Sequence, residues 1–344
     1  MGGRAWIGRL GALALAGAVA AGALWIGGAR AGAAGPGPTA WGLAQLRVPE
    51  AWTVSQGAGV TVGVVDSGVD PTAPGLTGRI VATADCIGSG GNETGCRPGP
   101  APDLAGHGTL VTSIAAAVAP SATIVVARAV GASRAGYDED LAAGIDWVVD
   151  HGARVVNVSL SDVDAGGTFL SATLAAAVER AWARGAVPVL AAGNLAEMSP
   201  YGDLDALVAA ATTATGSLAP YSNTTASAKW GVAAPGSVLA LLPGGANAIH
   251  SGTSIAAPHV AGAVALLLAH GDNRDLAVQH LLSAAVPCSG CGHGRVDIAR
   301  ALGVVPPAVA PPPPRPAPAA PPPDLEIPDA SLLDRAPSLD ALQG

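Results

Sequence analysis

Four polar side chains in this sequence border apolar segments in a way that suits acyl-transfer chemistry. Asp66 ends the apolar run VTVGVVD, and His107 lies between two glycines at the head of a helix-like segment. Asn194 follows the run VPVLAAG, and Ser254 stands within HSGTSIAAPHV at the start of another helix-like segment. A histidine is the commonest general base, a serine beside such a base can act as a nucleophile, and an amide can donate to a developing oxyanion.

Each of these side chains also has a purely structural interpretation. Asp66 could cap a turn, Asn194 could be a turn asparagine, and Ser254 could be an ordinary helix N-cap. Those interpretations leave unexplained the glycines on both sides of His107 and the small residues that follow Ser254. The four residues taken together therefore favour a catalytic site.

The elements that would position these residues follow from the hydrophobic pattern. From about residue 40, short apolar runs alternate with Ala-rich helical segments, which predicts one doubly wound α/β domain, a parallel sheet with helices on both faces. The predicted strands cover residues 60–66, 122–130, 153–161, 186–193 and 207–212. The predicted helices cover residues 107–118, 138–151, 168–184 and 254–270. Sites in such sheets form at the carboxyl edge, so we expect the four polar residues to meet there.

The motifs DSG, HGT, AAGN and GTSIAAPHVAG occur in that order, and over about residues 40–303 the chain resembles the subtilisin-like serine proteases, or subtilases. The order Asp, His, Ser is the known order of subtilisin itself. The resemblance implies a serine endopeptidase in which Ser254 attacks the scissile carbonyl and His107 transfers the proton. It also implies that Asp66 orients the imidazole and that Asn194, with the Ser254 N–H, stabilises the oxyanion.

The resemblance further implies a substrate-binding wall. Ser159, Leu160 and Ser161 occupy the place of a substrate-pairing strand where the family usually has Ser-Leu-Gly. A serine in place of the glycine puts the close approach of a peptide strand in question. The small residues Ala191 and Gly193 indicate an apolar or medium-sized first pocket.

The charge of the chain argues against some classes of binding partner. The net charge is −8, and no basic run follows the first nine residues, which argues against nucleic acid or an anionic membrane surface as the main partner. We expect a peptide or protein substrate, a monomer and no cofactor. Only the family resemblance suggests that the protein binds calcium, because no carboxylate cluster in the sequence indicates a calcium site.

The cysteines form two local pairs. Cys86 pairs with Cys96 and Cys288 with Cys291, which predicts two disulfides and a location outside the cytoplasm. The segment CSGCGH has an alternative interpretation as half of a zinc site with His293, although the sequence has no second C-x-x-C.

The two ends of the chain differ from its centre. Residues 10–29 are uncharged and apolar and follow two arginines, which predicts either a secretory signal cleaved near Ala33 or a retained membrane anchor. The expected organisation is therefore a signal or anchor at 1–33, a peptidase domain at 34–303, a Pro-rich spacer at 304–323 and an acidic tail at 324–344. The tail is either disordered or a docking peptide, and little room remains for a folding propeptide.

Two alternatives to a secreted or surface-tethered endopeptidase stay open. One is a catalytically silent subtilase fold that binds partners through its Pro-rich tail. The other is a mycosin-like, secretion-associated protease, which the chain resembles in GHGTLV and in its Pro-rich end. The complete set of Asp66, His107, Ser254 and Asn194 favours an enzyme, because loss of one triad residue is costly.

Overall fold

The three-dimensional structure is a computed structural model that describes residues 5–6, 40–90, 95–133, 136–160 and 170–304. The strands of its main sheet are β2 (Thr61–Asp66), β3 (Ile80–Asp85), β4 (Arg97–Pro98), β5 (Thr123–Arg128), β7 (Val155–Val158), β8 (Val187–Ala191), β9 (Leu207–Thr212) and β10 (Trp230–Pro235). Two small antiparallel pairs are β1 (Ala5–Trp6) with β6 (Gly136–Tyr137), and β11 (Ser237–Leu241) with β12 (Asn247–Ser251).

The main sheet has eight strands in the order β10-β9-β8-β7-β2-β5-β3-β4, and all neighbours are parallel except β3 with β4. Strand β2 lies in the middle, between β7 and β5. Five of its six residues are buried, which fits a Val-rich strand covered on both faces. Because the strands are parallel, the ends of β2, β7 and β8 lie at one edge of the sheet.

Helices cover both faces of this sheet. Their bounds are α1 (Ala40–Gln45), α2 (Val48–Ala51), α3 (His107–Val118), α4 (Asp138–Asp150), α5 (Ala172–Ala183), α6 (Thr253–His270), α7 (Arg274–Ser283) and α8 (Ile298–Ala301). Helices α3 and α6 pack together in one hydrophobic cluster, and α4 and α5 pack in a second cluster. The doubly wound α/β fold expected from the sequence is confirmed.

The predicted elements differ from the observed ones at their ends, and several observed elements were not predicted. Helix α5 begins at Ala172, after Ser171 caps it by accepting a hydrogen bond from the Leu174 N–H at 3.1 Å, and not at residue 168. The predicted strand over 153–161 is shorter, since regular pairing stops at Val158. The elements that were not predicted are strands β1, β3, β4, β6, β10, β11 and β12 and helices α1, α2, α7 and α8.

Helix α6 is the most apolar helix of the described residues. Its length and hydropathy would allow it to cross a membrane, yet most of it is buried inside the domain. It also contains His259, which has no exposed surface. The His259 Nδ1 lies 2.8 Å from the Ile255 carbonyl oxygen, and Nε2 faces Gly42 of α1. Burial lowers the pKa of His259 from 6.5 to about 4, against the opposing effect of its hydrogen bond to Ile255.

The two ends of the described domain are joined. The N–H of Ile298 in α8 donates to the Leu46 carbonyl at 3.0 Å, and the Arg47 guanidinium contacts the Asp297 carboxylate at 3.3 Å. The segment that precedes β2 therefore packs with the segment that completes the domain.

The buried His259 should make stability depend on pH. Between pH 6.5 and about 4 the unfolded chain binds a proton that the folded chain does not, so stability falls as the pH falls through this range. We expect His259→Asn, which keeps a donor for Ile255, to lessen the loss of stability between pH 7 and pH 5 by roughly 2 kcal/mol.

Urea unfolding at pH 7 and pH 5 measures this change in the free energy of unfolding. Both chains also carry Ser254→Ala, so that the candidate nucleophile cannot cleave the unfolded protein. An unchanged pH dependence in His259→Asn would contradict the assignment of the titration to this imidazole.

Candidate active site

Asp66 is the last residue of β2, and its side chain has no exposed surface. Its Oδ1 accepts a hydrogen bond from the Ser67 N–H at 2.7 Å. The Nδ1 of His107 lies 2.8 Å from Oδ1 and 3.0 Å from Oδ2 of the same carboxylate. The structure therefore brings together the first two residues that the sequence predicted for the site.

His107 reaches Asp66 because it is the first residue of α3 and that helix begins directly against the turn after β2. Gly106, at φ 77°, precedes the helix in a left-handed conformation that favours glycine. A Cβ on Gly108 would stand 2.0 Å from the Gly68 carbonyl oxygen, so only glycine allows this approach. The imidazole is 7% exposed, and since Asp66 engages Nδ1, Nε2 is the nitrogen left for a further partner.

Ser254 is the second residue of α6 and is half-buried. A Cβ placed on Gly252 would stand 3.0 Å from the Ser254 Oγ and 3.7 Å from both Oδ1 and Nδ2 of Asn194. The hydroxyl of Ser254 and the amide of Asn194 thus border the same small space at the start of α6.

Asn194 follows β8 and is exposed. Its Oδ1 accepts a hydrogen bond from the Thr253 N–H at 2.8 Å, while the Thr253 Oγ1 accepts one from the Gly193 N–H at 3.0 Å. This reciprocal pair joins the loop after β8 to the first turn of α6. Because the Asn194 Oδ1 already accepts the hydrogen bond from Thr253, the Nδ2 of Asn194 is the group left to donate a hydrogen bond beside Ser254.

The residues expected along the substrate lie at the ends of β7 and β8, which are neighbouring strands. Ser159 and Leu160 follow β7 and are buried, and the Ser159 Oγ accepts a hydrogen bond from the Asn157 Nδ2 at 2.8 Å. Ala191 ends β8, and its carbonyl accepts a hydrogen bond from the Tyr201 hydroxyl at 3.0 Å. Ser161 lies outside the described residues.

Both cysteine pairs are bonded as the sequence predicted, Cys86 to Cys96 and Cys288 to Cys291. Bonded to each other, Cys288 and Cys291 do not offer thiolates to a zinc ion. Within the described parts of the chain, no three His, Cys, Asp or Glu side chains gather into a group that could hold a metal ion.

Asp103 is a supporting residue that the sequence analysis missed. Its Oδ1 accepts hydrogen bonds from the Ser67 hydroxyl and the Gly106 N–H, both at 2.8 Å, and Oδ2 accepts one from the Thr109 N–H at 2.7 Å. Ser67 in turn accepts a hydrogen bond from the Gly108 N–H at 2.9 Å. One carboxylate thus joins the turn after β2 to the start of α3. An aspartate shortly before a helix is a start signal that could have revealed it.

Comparisons with known proteins identify the family of the chain. A model of the subtilase family matches residues 57–287 of the chain. The chain belongs to the subtilase family. Thermitase of Thermoactinomyces vulgaris is 33% identical over 280 residues, which cover 76% of this chain and 95% of thermitase. Subtilisin Savinase of Lederbergia lenta is 34% identical over 241 residues, which cover 66% of this chain and 83% of Savinase.

The fold comparison gives the same result. A protease from Pseudoalteromonas arctica PAMC 21717 superposes with a TM-score of 0.65 and 29% sequence identity, covering 75% of this chain and 93% of that protein. This subtilase is therefore a serine endopeptidase, and its substrates are peptides or proteins.

Asp103 should contribute to the stability of the subtilase domain through its position at the start of α3. Because Asp103→Ala removes the acceptor of these hydrogen bonds, we expect the free energy of unfolding to fall by about 2 kcal/mol. Urea unfolding in the Ser254→Ala background measures it. Asp275→Ala on the exposed first turn of α7 is the control, with an expected change of less than about 0.5 kcal/mol. Equal effects of the two substitutions would contradict the support that we assign to Asp103.

Proposed function

We propose that Ser254, His107 and Asp66 carry out peptide-bond hydrolysis through an acyl-enzyme. Ser254 Oγ attacks the carbonyl carbon of the scissile bond while His107 Nε2 accepts the hydroxyl proton. The tetrahedral intermediate collapses as the imidazolium gives that proton to the leaving amine. Water, deprotonated by the same nitrogen, then attacks the ester, and Ser254 regains its proton when the product acid leaves.

The observation that carries this proposal is the buried contact between Asp66 and His107. With both carboxylate oxygens within 3.0 Å of Nδ1, the neutral imidazole is held with its proton on Nδ1. The lone pair is then on Nε2, as a general base requires. The buried carboxylate also stabilises the imidazolium that forms when Ser254 is deprotonated.

The oxyanion is stabilised by the Asn194 Nδ2 and the Ser254 N–H. The Thr253 N–H engages the Asn194 Oδ1 at 2.8 Å, which supports this orientation of the amide. The N–H of Ser254 lies in the first turn of α6, where backbone N–H groups have no intrahelical partner. Donors fixed before the reaction need no reorganisation when the charge develops.

In this proposal the substrate wall consists of Ser159 and Leu160, which follow β7, together with Ala191 and Gly193. Ser161, which comes next in the sequence, belongs to the same wall by family resemblance. A peptide added alongside residues 159–161 would pair as an extra strand, with Ser161 limiting how closely it approaches. The small residues Ala191 and Gly193 favour an apolar or medium-sized residue before the scissile bond.

The protein acts outside the cytoplasm, where two disulfides persist. In this proposal residues 1–33 direct export, residues 34–303 form the peptidase domain, residues 304–323 are a Pro-rich spacer and residues 324–344 an acidic tail.

A fluorophosphonate probe tests the nucleophile. We expect the full-length chain to be labelled and Ser254→Ala to lose all labelling, because the probe reacts only with an activated serine. Ser283→Ala, at an exposed position on α7, is the control and should be labelled like the wild type. A folded wild-type chain that takes up no label would overturn the proposal and favour the silent adaptor.

Two substitutions of Asn194 test the oxyanion donor. Asn194→Leu and Asn194→Asp both remove the Nδ2 donor, so we expect kcat on a peptide substrate to fall by about 10²–10³ with KM little changed. That magnitude is the one known for such a donor in subtilisin, a member of the same family. Only Asn194→Asp keeps an acceptor for the Thr253 N–H, so it should retain more stability than Asn194→Leu in urea unfolding. A kcat within tenfold of the wild type would contradict the role.

A further inference from the structure

Asn223 holds the loop that carries Asn194. It lies between β9 and β10 and is only 2% exposed. Its Oδ1 accepts hydrogen bonds from the Leu195 N–H at 2.9 Å and the Glu197 N–H at 3.0 Å, and its own N–H donates to the Gly193 carbonyl at 2.9 Å. These bonds fix the backbone on both sides of Asn194.

The packing between the two segments is close as well as polar. Gly193 has φ 105°, and a Cβ on it would stand 2.5 Å from the Asn223 Nδ2. The next residue, Thr224, donates its N–H to the Glu197 carbonyl at 2.7 Å and accepts from the Ser199 N–H at 2.9 Å. Asn223 and Thr224 therefore hold the backbone of the exposed Asn194 loop, residues 193–199, by hydrogen bonds along most of its length.

The disulfide loop between Cys288 and Cys291 contacts the segment that directly follows Asn223. The Gly290 carbonyl, inside that loop, accepts hydrogen bonds from the Thr224 hydroxyl at 2.7 Å and the Thr225 N–H at 3.0 Å. Cys291 is buried, whereas Cys288 is partly exposed. The short cystine loop thus contacts the two residues that directly follow Asn223.

We propose that Asn223 is a positioning residue for Asn194 and that the Cys288–Cys291 loop keeps Asn223 in place, so that the state of this disulfide sets the rate of the chemical step. The proposal rests on the oxyanion role of Asn194 given above. A displaced donor stabilises the transition state less while substrate binding changes little, since the donor acts where charge develops.

Reduction of the Cys288–Cys291 disulfide would regulate the rate of the enzyme. A dithiol transfers two electrons and two protons to the Cys288–Cys291 bond, which becomes two thiols while the dithiol becomes a disulfide. The Gly290 carbonyl then belongs to an open chain and no longer holds Thr224 and Thr225 in one position. The consequence is a lower kcat at nearly constant KM.

The first experiment is a double-mutant cycle on the full-length chain with a chromogenic peptide substrate. We expect Asn223→Ala to lower kcat about tenfold with KM within about twofold, and Asn223→Asp, which keeps an acceptor for the two N–H groups, to recover most of the rate. In the Asn194→Leu background the same Asn223→Ala change should have little further effect, because the donor that it positions is already absent.

A structural role alone would give a different result. Losses that multiply in the double variant, or a wild-type kcat in Asn223→Ala, would overturn the positioning role even though the wild type remains active. A wild type without activity or fluorophosphonate labelling would instead mean that the proposed function fails. If Asn223→Ala does not fold, Thr224→Val, which removes only the bond from the hydroxyl to Gly290, should lower kcat about threefold with KM unchanged.

The second experiment isolates the disulfide. We expect the pair Cys288→Ser and Cys291→Ser to lower kcat several-fold and to abolish the effect of a dithiol on the remaining activity. The matched control, Cys86→Ser with Cys96→Ser, lacks the other disulfide and should keep a wild-type kcat and its sensitivity to the dithiol. Sensitivity that follows Cys86 and Cys96 instead would overturn the part assigned to the Cys288–Cys291 loop.

Discussion

The burial of the Asp66 carboxylate is the constraint on which the candidate site depends. A charged group with no exposed surface is costly unless hydrogen bonds and an opposite or polar partner surround it. The Ser67 N–H and the His107 imidazole supply those partners. To bring His107 there, α3 must begin against the turn after β2, and that contact requires glycine at position 108.

Much of the fold could be predicted because its strands are short apolar runs and its helices are long and Ala-rich. Helix α3 was predicted with its observed ends, and β9 likewise. Strand β3 was not predicted because it lies next to the edge of the sheet, with several partly exposed residues and no strong apolar pattern. Strand β10 contains glycine and ends in proline, both of which weaken a strand signal, and only its pairing with β9 makes it regular.

The residues with chemical side chains were easier to predict than those that hold them. Asp66 ends an apolar strand and Asn194 follows one, whereas His107 and Ser254 lie in the first turns of helices, so their positions in the sequence marked them. Nothing local marks Asn223, since its bonds reach residues 26 and 28 positions away. Nothing local marks Thr253 as a support either, because its contact with Asn194 spans 59 positions. Such supports depend on tertiary pairing, which no periodicity in the sequence encodes.

The order of the candidate site residues along the chain also bears on when this protease can first act during synthesis. A growing chain contains the Asp66–His107 pair early, but Ser254 is made much later, and the contact from Leu46 to Ile298 later still. In the proposed mechanism, a ribosome-bound copy therefore contains the base His107 without the nucleophile Ser254 until most of the domain has been made. In that mechanism, the order of these residues along the chain postpones peptide hydrolysis until the segment around Ser254 has been translated.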